Sequence, residues 1–248
     1  MHLSHYCRYL WQGPELIVIT GNAVRLWQGR QDYCGTHAVE TGDAEASAAL
    51  RRLLAAAGLA AVSLPERESW GWTLALPGSC IGLFCGIEPE GMACACLRRS
   101  EPGADTAVVQ RQKEKSPLTQ STYTLTDADP ARAVEGYFES AAQMLVRLAL
   151  LDDGRGAFVQ PLPGRAFGPL DGLGDRDLVE QCLALPGRTN VKLLDEVVLF
   201  YGCRCSDDMI ISMIAALPAQ QRAELWRDAA QLTVNCPRCG RAYTIARA

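Results

Sequence analysis

Four of the eleven cysteines lie in two closely spaced pairs near the C-terminal end of the 248-residue chain. The first pair is Cys203-Arg-Cys205 and the second is Cys236-Pro-Arg-Cys239, with residues 206–235 between them. Zinc prefers four sulfur or nitrogen ligands at tetrahedral positions, and two short cysteine pairs supply them once the intervening chain folds back. Cysteines that serve only as core residues have no reason to occur in such pairs. We therefore predict one Zn²⁺ ion per chain, with Cys203, Cys205, Cys236 and Cys239 as its metal ligands.

The residues between the two pairs predict a small closed module. Ser206 is a suitable N-cap for a first helix with an apolar face, because its hydroxyl can accept a hydrogen bond from the helix N-terminus. Pro218 ends that helix, and a second helix is predicted over residues 219–228. A strand at 232–234 then returns the chain to the second pair. These local signals agree on a C-terminal zinc-binding domain over residues 201–248.

The rest of the chain predicts a larger α+β domain with antiparallel strands. Tight hairpins are indicated at Gly21-Asn22 and at Asp152-Asp-Gly154, and several strands between Trp70 and Leu97. Asp43 is a plausible N-cap, and Asp129-Pro130 marks a further helix N-terminus. Helices are accordingly predicted over residues 43–59, 129–140 and 175–185, and a polar loop over 103–120.

The domain organisation follows from the glycine-rich stretch 165–174, which predicts the main boundary. We predict a larger N-terminal domain over residues 1–165 and a linker with a helix over 166–200. A short apolar strand, Val197–Tyr201, is expected to lead into Cys203. The predicted fold class is therefore α+β: a mixed N-terminal domain, a helical linker and a small zinc-binding domain.

Composition restricts the partners and the compartment. The chain is 48% hydrophobic and 21% charged with a formal net charge of −4, which gives no basic surface for nucleic acid or an anionic membrane. The most apolar stretch, Leu53–Leu64, is shorter than the roughly 20 residues that span a bilayer. The first twenty residues lack a signal-peptide pattern. We expect a cytoplasmic protein.

The two cysteine pairs and their neighbours resemble the redox-regulated 33 kDa heat-shock chaperone family. C-x-C is the less common opening of a zinc site, which makes the pattern fairly specific. Phe200-Tyr-Gly-Cys-Arg-Cys-Ser206 and Val234-Asn-Cys-Pro-Arg-Cys-Gly-Arg-Ala-Tyr243 resemble the two ligand segments of that family. Ala133–Ser140 and the hairpin that follows it to Gly164 resemble the end of its substrate-binding domain, and Leu183–Pro186 resembles a piece of its linker.

This resemblance, which covers about residues 129–243, implies a redox-regulated holdase that acts in stress. The reduced, zinc-bound protein is expected to be folded and inactive. Oxidation is expected to release zinc and to form the disulfide bonds Cys203–Cys205 and Cys236–Cys239. The C-terminal domain would then unfold and uncover apolar surface. The implied partners are unfolding client proteins, together with a second copy in an oxidised homodimer.

One departure from the family pattern leaves a second function open. Only sixteen residues, 187–202, separate Pro186 from Cys203, where the family usually has a longer acidic linker. A chain with a shortened linker fits a constitutive zinc-stabilised binding protein that keeps the fold and has lost the redox switch.

Two other functions fit the residues less well. A zinc ribbon that binds nucleic acid needs basic charge, whereas residues 203–248 hold six arginines against four acids, and a four-thiolate zinc centre cancels that excess. Thiol-disulfide exchange at Cys236-Pro-Arg-Cys239 normally requires the pair to begin a helix, whereas here it follows a predicted strand. We see no nucleophile-base pair or phosphate loop elsewhere and predict that the chain is not an enzyme.

The remaining cysteines are most simply interpreted as core residues. Cys94-Ala-Cys96 lies on a predicted strand, so both sulfurs face the same side of the sheet. With Cys80 and Cys85 nearby in sequence, these two cysteines leave a second metal site or an auxiliary redox pair conceivable. Cys182 lies on a predicted helix and is expected to be a core residue.

Overall fold

The structure, a computed structural model, describes residues 2–64, 66–227 and 229–247. The helices within these ranges are α1 Val24–His37, α2 Ala44–Val62, α3 Pro130–Ser140, α4 Asp175–Leu183, α5 Asp207–Ala215 and α6 Ala219–Trp226. The first six strands are β1 Leu3–Trp11, β2 Leu16–Asn22, β3 Ser69–Ala75, β4 Ile81–Ile87, β5 Met92–Arg99 and β6 Thr106–Gln112. The other six are β7 Thr119–Thr124, β8 Arg147–Leu150, β9 Arg155–Pro161, β10 Val191–Tyr201, β11 Gln231–Asn235 and β12 Ala242–Ala246.

Ten of these strands form one sheet in the order β7-β6-β3-β4-β5-β10-β1-β2-β9-β8, while β11 and β12 form a separate hairpin. Neighbouring strands of the large sheet are antiparallel, except that β10 runs parallel to β5, with Phe200 opposite Met92 and Tyr201 opposite Ala93. The predicted α+β class with antiparallel strands is confirmed.

One face of the sheet is covered by α2 and α3. The Asp43 carboxylate accepts a hydrogen bond from the backbone N–H of Ala46 at 2.8 Å and starts α2, as predicted. The helix is rich in alanine and leucine and is largely buried, so it can lie close to the strands. Trp70 and Trp72 of β3 lie in the same core and contact Tyr137 of α3 edge-to-face; their own rings are stacked with centroids 5.5 Å apart.

The opposite face is covered at two places. Because side chains alternate between the two faces of a strand, Leu16 and Val18 of β2 both point towards α4. Cys182 of α4 is fully buried there, as predicted for a core residue. Farther along the sheet, Cys94 and Cys96 of β5 point to this face and pack against the C-terminal module. The sheet therefore forms the base on which the two cysteine pairs rest.

The predicted hairpin at Gly21-Asn22 is wrong. The chain continues as a strand through these residues and then forms α1. Gly21 is required by close packing, because a Cβ there would lie 2.2 Å from the Tyr6 ring. The Asn22 side chain accepts a hydrogen bond from the N–H of Val24 at 2.9 Å, which supports the start of the helix.

The predicted loop over residues 103–120 is also wrong, since it contains β6 and the start of β7. Ala107 and Val109 alternate with more exposed residues and lie in the core, whereas β7 is a mostly exposed edge strand. An edge strand is hydrogen-bonded to a neighbouring strand on one side only and faces solvent on the other. Its residues are therefore polar, and its composition resembles that of a loop.

The hairpin at Asp152–Gly154 is confirmed as the β8–β9 turn, and helices are found where residues 129–140 and 175–185 predict them. The strand predicted at Val197–Tyr201 begins earlier, at Val191, and lies between β1 and β5. Of the helix predicted over 219–228, Asp228 lies outside the described residues. The division at residues 165 and 200 stays a prediction.

Candidate metal centre

The first cysteine pair is positioned by the end of β10 and the start of α5. Tyr201 ends the strand, and the N–H of Gly202 donates to the carbonyl of Ala93 at 2.9 Å, which fixes the chain before Cys203. After Cys205, the Ser206 hydroxyl accepts a hydrogen bond from the N–H of Met209 at 3.2 Å, the N-cap that the sequence predicts.

The second pair lies in the tight turn between β11 and β12. The N–H of Cys236 donates to the carbonyl of Arg241 at 2.8 Å, and the N–H of Gly240 donates to the carbonyl of Cys236 at 2.9 Å. Gly240 has a φ of +81°, a conformation that favours glycine. This geometry holds Cys236 and Cys239 on the same side of the turn.

The structure brings the four predicted residues together. Their sulfur atoms all lie within 4.8 Å of one another. The Sγ atoms of Cys203 and Cys236 are 3.9 Å apart and those of Cys205 and Cys239 are 3.4 Å apart. A tetrahedral centre with zinc–sulfur bonds of 2.3 Å requires sulfur–sulfur distances of about 3.8 Å. The cluster therefore fits a tetrathiolate metal centre.

Electrostatics also favours a cation between these sulfurs. Hydrogen bonding from the Cys203 thiol lowers the pKa of Cys236, whereas hydrogen bonds between the sulfurs raise the pKa values of Cys203 and Cys239. The neighbouring thiols thus stabilise Cys236 as a thiolate, and they disfavour the loss of a proton from Cys203 and Cys239. Four thiolates so close together need a positive charge among them, which a divalent metal ion supplies.

Two tyrosine hydroxyl groups lie against the sulfurs. Tyr243 donates to the Sγ and the carbonyl oxygen of Cys205, each at 2.9 Å. The hydroxyl oxygen of Tyr33, on α1, lies 3.3 Å from Cys239 Sγ and 3.8 Å from Cys205 Sγ. Burial and these sulfurs raise the pKa of Tyr33, so its hydroxyl keeps its proton. Tyr33 was not among the predicted site residues, because α1 itself was not predicted.

The module around the sulfurs has a small apolar core. Its buried side chains come from α5, α6 and the β11–β12 hairpin: Ile210, Ile214, Trp226, Tyr243 and Ile245. They extend the cluster that contains the cysteines and continue to Phe84 and Cys94 of the large sheet. The clustered cysteines, the core of the module and the sheet thus share one continuous cluster of buried side chains.

An arginine in each cysteine pair reaches the turn between β4 and β5. Arg238 pairs with Glu88, and Arg204 pairs with Glu90. The side chain of Glu88 is only 13% exposed, and the Arg238 guanidinium also lies beside Gly86, where a Cβ would be 3.1 Å from its Nη2. The more exposed Arg204–Glu90 pair contributes at most about 1 kcal/mol. Arg238–Glu88 is therefore the stronger contact between the module and the sheet.

We predict that Glu88→Gln weakens this docking by about 1–3 kcal/mol, because it removes one charge of a partly buried pair and retains the shape. Hydrogen exchange of the amides of Cys236 and Gly240 should become faster, while exchange in β1 and β2 stays unchanged. Glu114→Gln is the matched control, since its pair with Lys115 is largely exposed to solvent. Unchanged exchange at the turn would show that the ion pair does not hold the module.

Four of the other cysteines are buried thiols of low reactivity. Burial raises the pKa of Cys34, Cys85 and Cys96 and raises that of Cys182 to about 12, which keeps these thiols protonated. Cys80 is exposed. Within the described ranges, one group of at least three metal-binding side chains lies close enough together to share an ion, and it consists of the four paired cysteines. Both sulfurs of Cys94-Ala-Cys96 face the module, as the strand alternation predicts.

Comparison with known proteins identifies the family. The model of the family described as Hsp33 protein matches residues 18–246, nearly the whole chain. The chain belongs to the Hsp33 family. The resemblance found in the cysteine segments is confirmed, and the Hsp33 match extends well before residue 129, to β2.

Curated Hsp33 relatives are distant. The chain is 24% identical over 206 residues to the "33 kDa chaperonin" of Caulobacter vibrioides, a match that covers 65% of this chain and 66% of the relative. It is 25% identical over 158 residues to the "33 kDa chaperonin" of Nitrosococcus oceani, covering 57% and 54% of the two chains. The matched part thus spans 66% of the first relative and 54% of the second, less than two thirds in each case.

A solved Hsp33 structure has the same fold. The crystal structure of the 33 kDa chaperonin from Thermotoga maritima superposes with a TM-score of 0.69 and covers 99% of this chain and 95% of that chain, at 15% identity. Among the helices of the described residues, none combines the length and the apolar character needed to cross a membrane.

Proposed function

We propose that the chain is a redox-regulated holdase chaperone whose switch is a zinc ion held by Cys203, Cys205, Cys236 and Cys239. The observation that supports this most strongly is the cluster of four sulfurs within 4.8 Å, in a member of the Hsp33 family. The clients are unfolding proteins, and the oxidised form is a candidate homodimer. The bound ion keeps the sulfurs deprotonated and ties the two cysteine segments together.

The size of the C-terminal module makes the metal decisive for its folding. A module of about 45 residues buries too little apolar surface to be stable without a metal or disulfide bonds. The binding free energy of a structural zinc ion is then folding free energy of the module. Loss of the sulfur ligands through oxidation removes this contribution, while the large sheet retains its own core.

Oxidation by hydrogen peroxide supplies the chemistry of the switch. In each pair, two thiols and one peroxide molecule give one disulfide bond and two water molecules, so two peroxide molecules oxidise Cys203 with Cys205 and Cys236 with Cys239. The pairing within each segment is the one that the family resemblance implies. It replaces the connection between the segments with two local loops, which no longer hold the module closed.

The apolar side chains of α5 and α6 would provide surface for clients. Met209, Ile211, Met213 and Leu225 are already exposed, Met213 to 55%. Between the two helices and β12 lies a groove of about 530 Å³ whose lining includes Ile211, Ile214 and Trp226. Methionine-rich surface adapts to many partners, because methionine is flexible and polarizable. Unfolding of the module would add Ile210 and Ile214 to this surface.

A second candidate, the constitutive binding protein without a switch, is favoured by the structure of residues 187–202. Most of this stretch is β10, which lies within the sheet and does not form a free linker. Its residues Leu193, Leu194 and Val198 are exposed in the folded state. Apolar surface that is already accessible does not require oxidation to bind a client.

An aggregation assay separates the two candidates. The full chain is prepared in a reduced, zinc-loaded form and in a peroxide-treated, zinc-free form, and each is mixed with thermally unfolding luciferase. We expect the oxidised form to suppress light scattering at least tenfold more effectively per mole than the reduced form. Equal suppression by both forms would favour the constitutive protein, and no suppression by either would refute both.

The matched control for this assay is Cys7→Ser. Cys7 is a half-buried free cysteine on β1, outside the four-sulfur cluster. This variant should switch like the parent chain, whereas Cys236→Ser should remain active without peroxide, because it lacks one ligand. Zinc release, followed with a chromophoric chelator, should accompany the gain of activity.

A further inference from the structure

The side chain of Arg238 fills a slot in the sheet beneath the C-terminal module. Gly86 leaves room for it, because a Cβ at this position would lie 3.1 Å from the Nη2 atom of Arg238 and 3.3 Å from the sulfur of Cys94. At the end of the slot, Glu88 pairs with the guanidinium through one carboxylate oxygen. The other oxygen accepts a hydrogen bond from the Ser69 hydroxyl at 3.1 Å, which holds the carboxylate in place. The sheet thus contains a site shaped and charged for one guanidinium group.

The residue before Arg238 is held through its backbone. The carbonyl oxygen of Pro237 accepts hydrogen bonds from the guanidinium of Arg98 at 2.5 Å and from the thiol of Cys96 at 3.4 Å. The Arg98 guanidinium lies 4.5 Å from the centre of the Phe84 ring, a cation–π contact that positions it. Every residue type carries a backbone carbonyl, so these contacts require no particular side chain before the arginine. The dipeptide Pro237-Arg238 is therefore recognised by one backbone group and one arginine side chain.

The groups that form this site belong to β3, β4, β5 and the turn between β4 and β5, and not to the module. The turn is closed by its own backbone, since the N–H of Glu88 donates to the carbonyl of Met92 at 2.8 Å and the N–H of Gly91 donates to the carbonyl of Glu88 at 2.9 Å. Release of the module would leave the Glu88 carboxylate without its cation, beside the newly uncovered Phe84 and Cys94. A carboxylate at a partly apolar surface is stabilised when another cation replaces the lost one.

We propose that this slot, vacated when the module is released, binds an arginine side chain of an unfolding client, and that Glu88 selects client segments that carry one. Arginine is favoured over lysine, because its planar fork of N–H donors matches a carboxylate. Apolar residues beside the client arginine would contact Phe84, which the module covers in the closed form. Until release, Pro237-Arg238 of the module occupies the slot and competes with the client. This inference rests on the proposed function and names the class of segment that is bound.

The test measures the binding of two fluorescent peptides to the peroxide-treated, zinc-free full chain. Both peptides consist of alanine and leucine around one central residue, which is arginine in the first and citrulline, its uncharged isostere, in the second. We expect the arginine peptide to bind about tenfold more tightly by fluorescence anisotropy, in line with the strength of a charge-assisted hydrogen-bonded pair.

The aggregation assay shows which of the two proposals fails if the peptides bind differently from this expectation. Equal affinities for the two peptides, in an oxidised chain that suppresses the aggregation of luciferase, would overturn this inference and leave the proposed function standing. Loss of both peptide binding and aggregation suppression would overturn the two together.

Glu88→Gln should abolish the preference for arginine and leave the affinity for the citrulline peptide unchanged, because it removes the charge and retains the shape. Glu114→Gln, which removes an equal charge in the turn between β6 and β7, should keep the preference. Loss of the preference in both variants would show a general attraction to an acidic protein, and its retention in Glu88→Gln would contradict the role of the slot. If Glu88→Gln does not fold, Gly86→Ala replaces it, since the added methyl group narrows the slot and should weaken binding of the arginine peptide several-fold.

Removal of the competing side chain gives an independent test. In the oxidised chain, Arg238→Gln should tighten binding of the arginine peptide several-fold, because the tethered module can no longer fill the slot. Arg176→Gln is the matched control, since it removes the same charge from an exposed position on α4 and should leave the affinity unchanged. An equal gain in both variants would reflect net charge alone. Peptide binding that disappears as the concentration of the parent chain rises would assign the slot to a second copy, and either result would overturn the proposal.

Discussion

Replacement of Cys203, Cys205, Cys236 and Cys239 by serine is expected to unfold the C-terminal module and to leave the ten-stranded sheet folded. A structural zinc site contributes about 10–16 kcal/mol in small zinc-dependent folds, more than the limited core of this module can replace. Hydrogen exchange resolves the effect. Amides in α5, α6, β11 and β12 should exchange at unfolded rates, while those in β1 and β2 keep their protection.

Two controls separate metal loss from the polarity of serine. A strong chelator added to the reduced parent chain should produce the same exchange pattern with all cysteines intact. Cys80→Ser, at an exposed cysteine outside the four-sulfur cluster, should change nothing. A module that stays protected without the four sulfurs would remove the physical basis of the proposed switch.

Trp72→Ala is expected to have the opposite distribution of effects. Trp72 is fully buried, stacks on Trp70, and contacts Tyr137 edge-to-face at 5.4 Å. Its truncation should destabilise the sheet by about 3–5 kcal/mol, because a large cavity opens beneath α3. Thermal unfolding of the zinc-loaded chain should shift down by roughly 10 °C.

The affinity of this variant for zinc should stay unchanged, because Trp72 lies on the sheet face opposite the cysteines. Leu118→Ala provides the comparison, since Leu118 is 54% exposed and its truncation should change stability by less than about 0.5 kcal/mol. A parallel loss of zinc affinity in Trp72→Ala would show that sheet and module do not unfold independently.

Side-chain caps located three of the predicted helices, whereas α4 and α6 were predicted without one. Asp43, Asp129 and Ser206 each accept a backbone hydrogen bond at the start of a predicted helix. Helix α1 was missed because Gly21-Asn22 before it was interpreted as a hairpin turn, and its N-cap, Ala23, makes no side-chain bond that would mark a helix start. Its buried face also includes the charged Arg30, so no apolar stripe marks it as a helix.

The four clustered cysteines could be predicted from spacing alone, because each pair is local and the chemistry of thiolates is restrictive. Tyr33 could not, since 172 and 206 positions separate it from the cysteines it contacts. Its place depends on how α1 crosses the sheet. The partners of Arg204 and Arg238 were missed for the same reason.

The position of β10 determines how far disorder can spread from the cysteines. Unfolding that begins at Cys203 would first have to break the hydrogen bond between Gly202 and Ala93. It would then have to break the two hydrogen bonds between Tyr201 and Ala95. Unfolding beyond Tyr201 would require separating β10 from its neighbours β1 and β5 in the middle of the sheet. These hydrogen bonds would stop the unfolding at the end of β10, so an unfolded module would remain tethered close to the sheet. A captured client would then be held close beside the intact sheet.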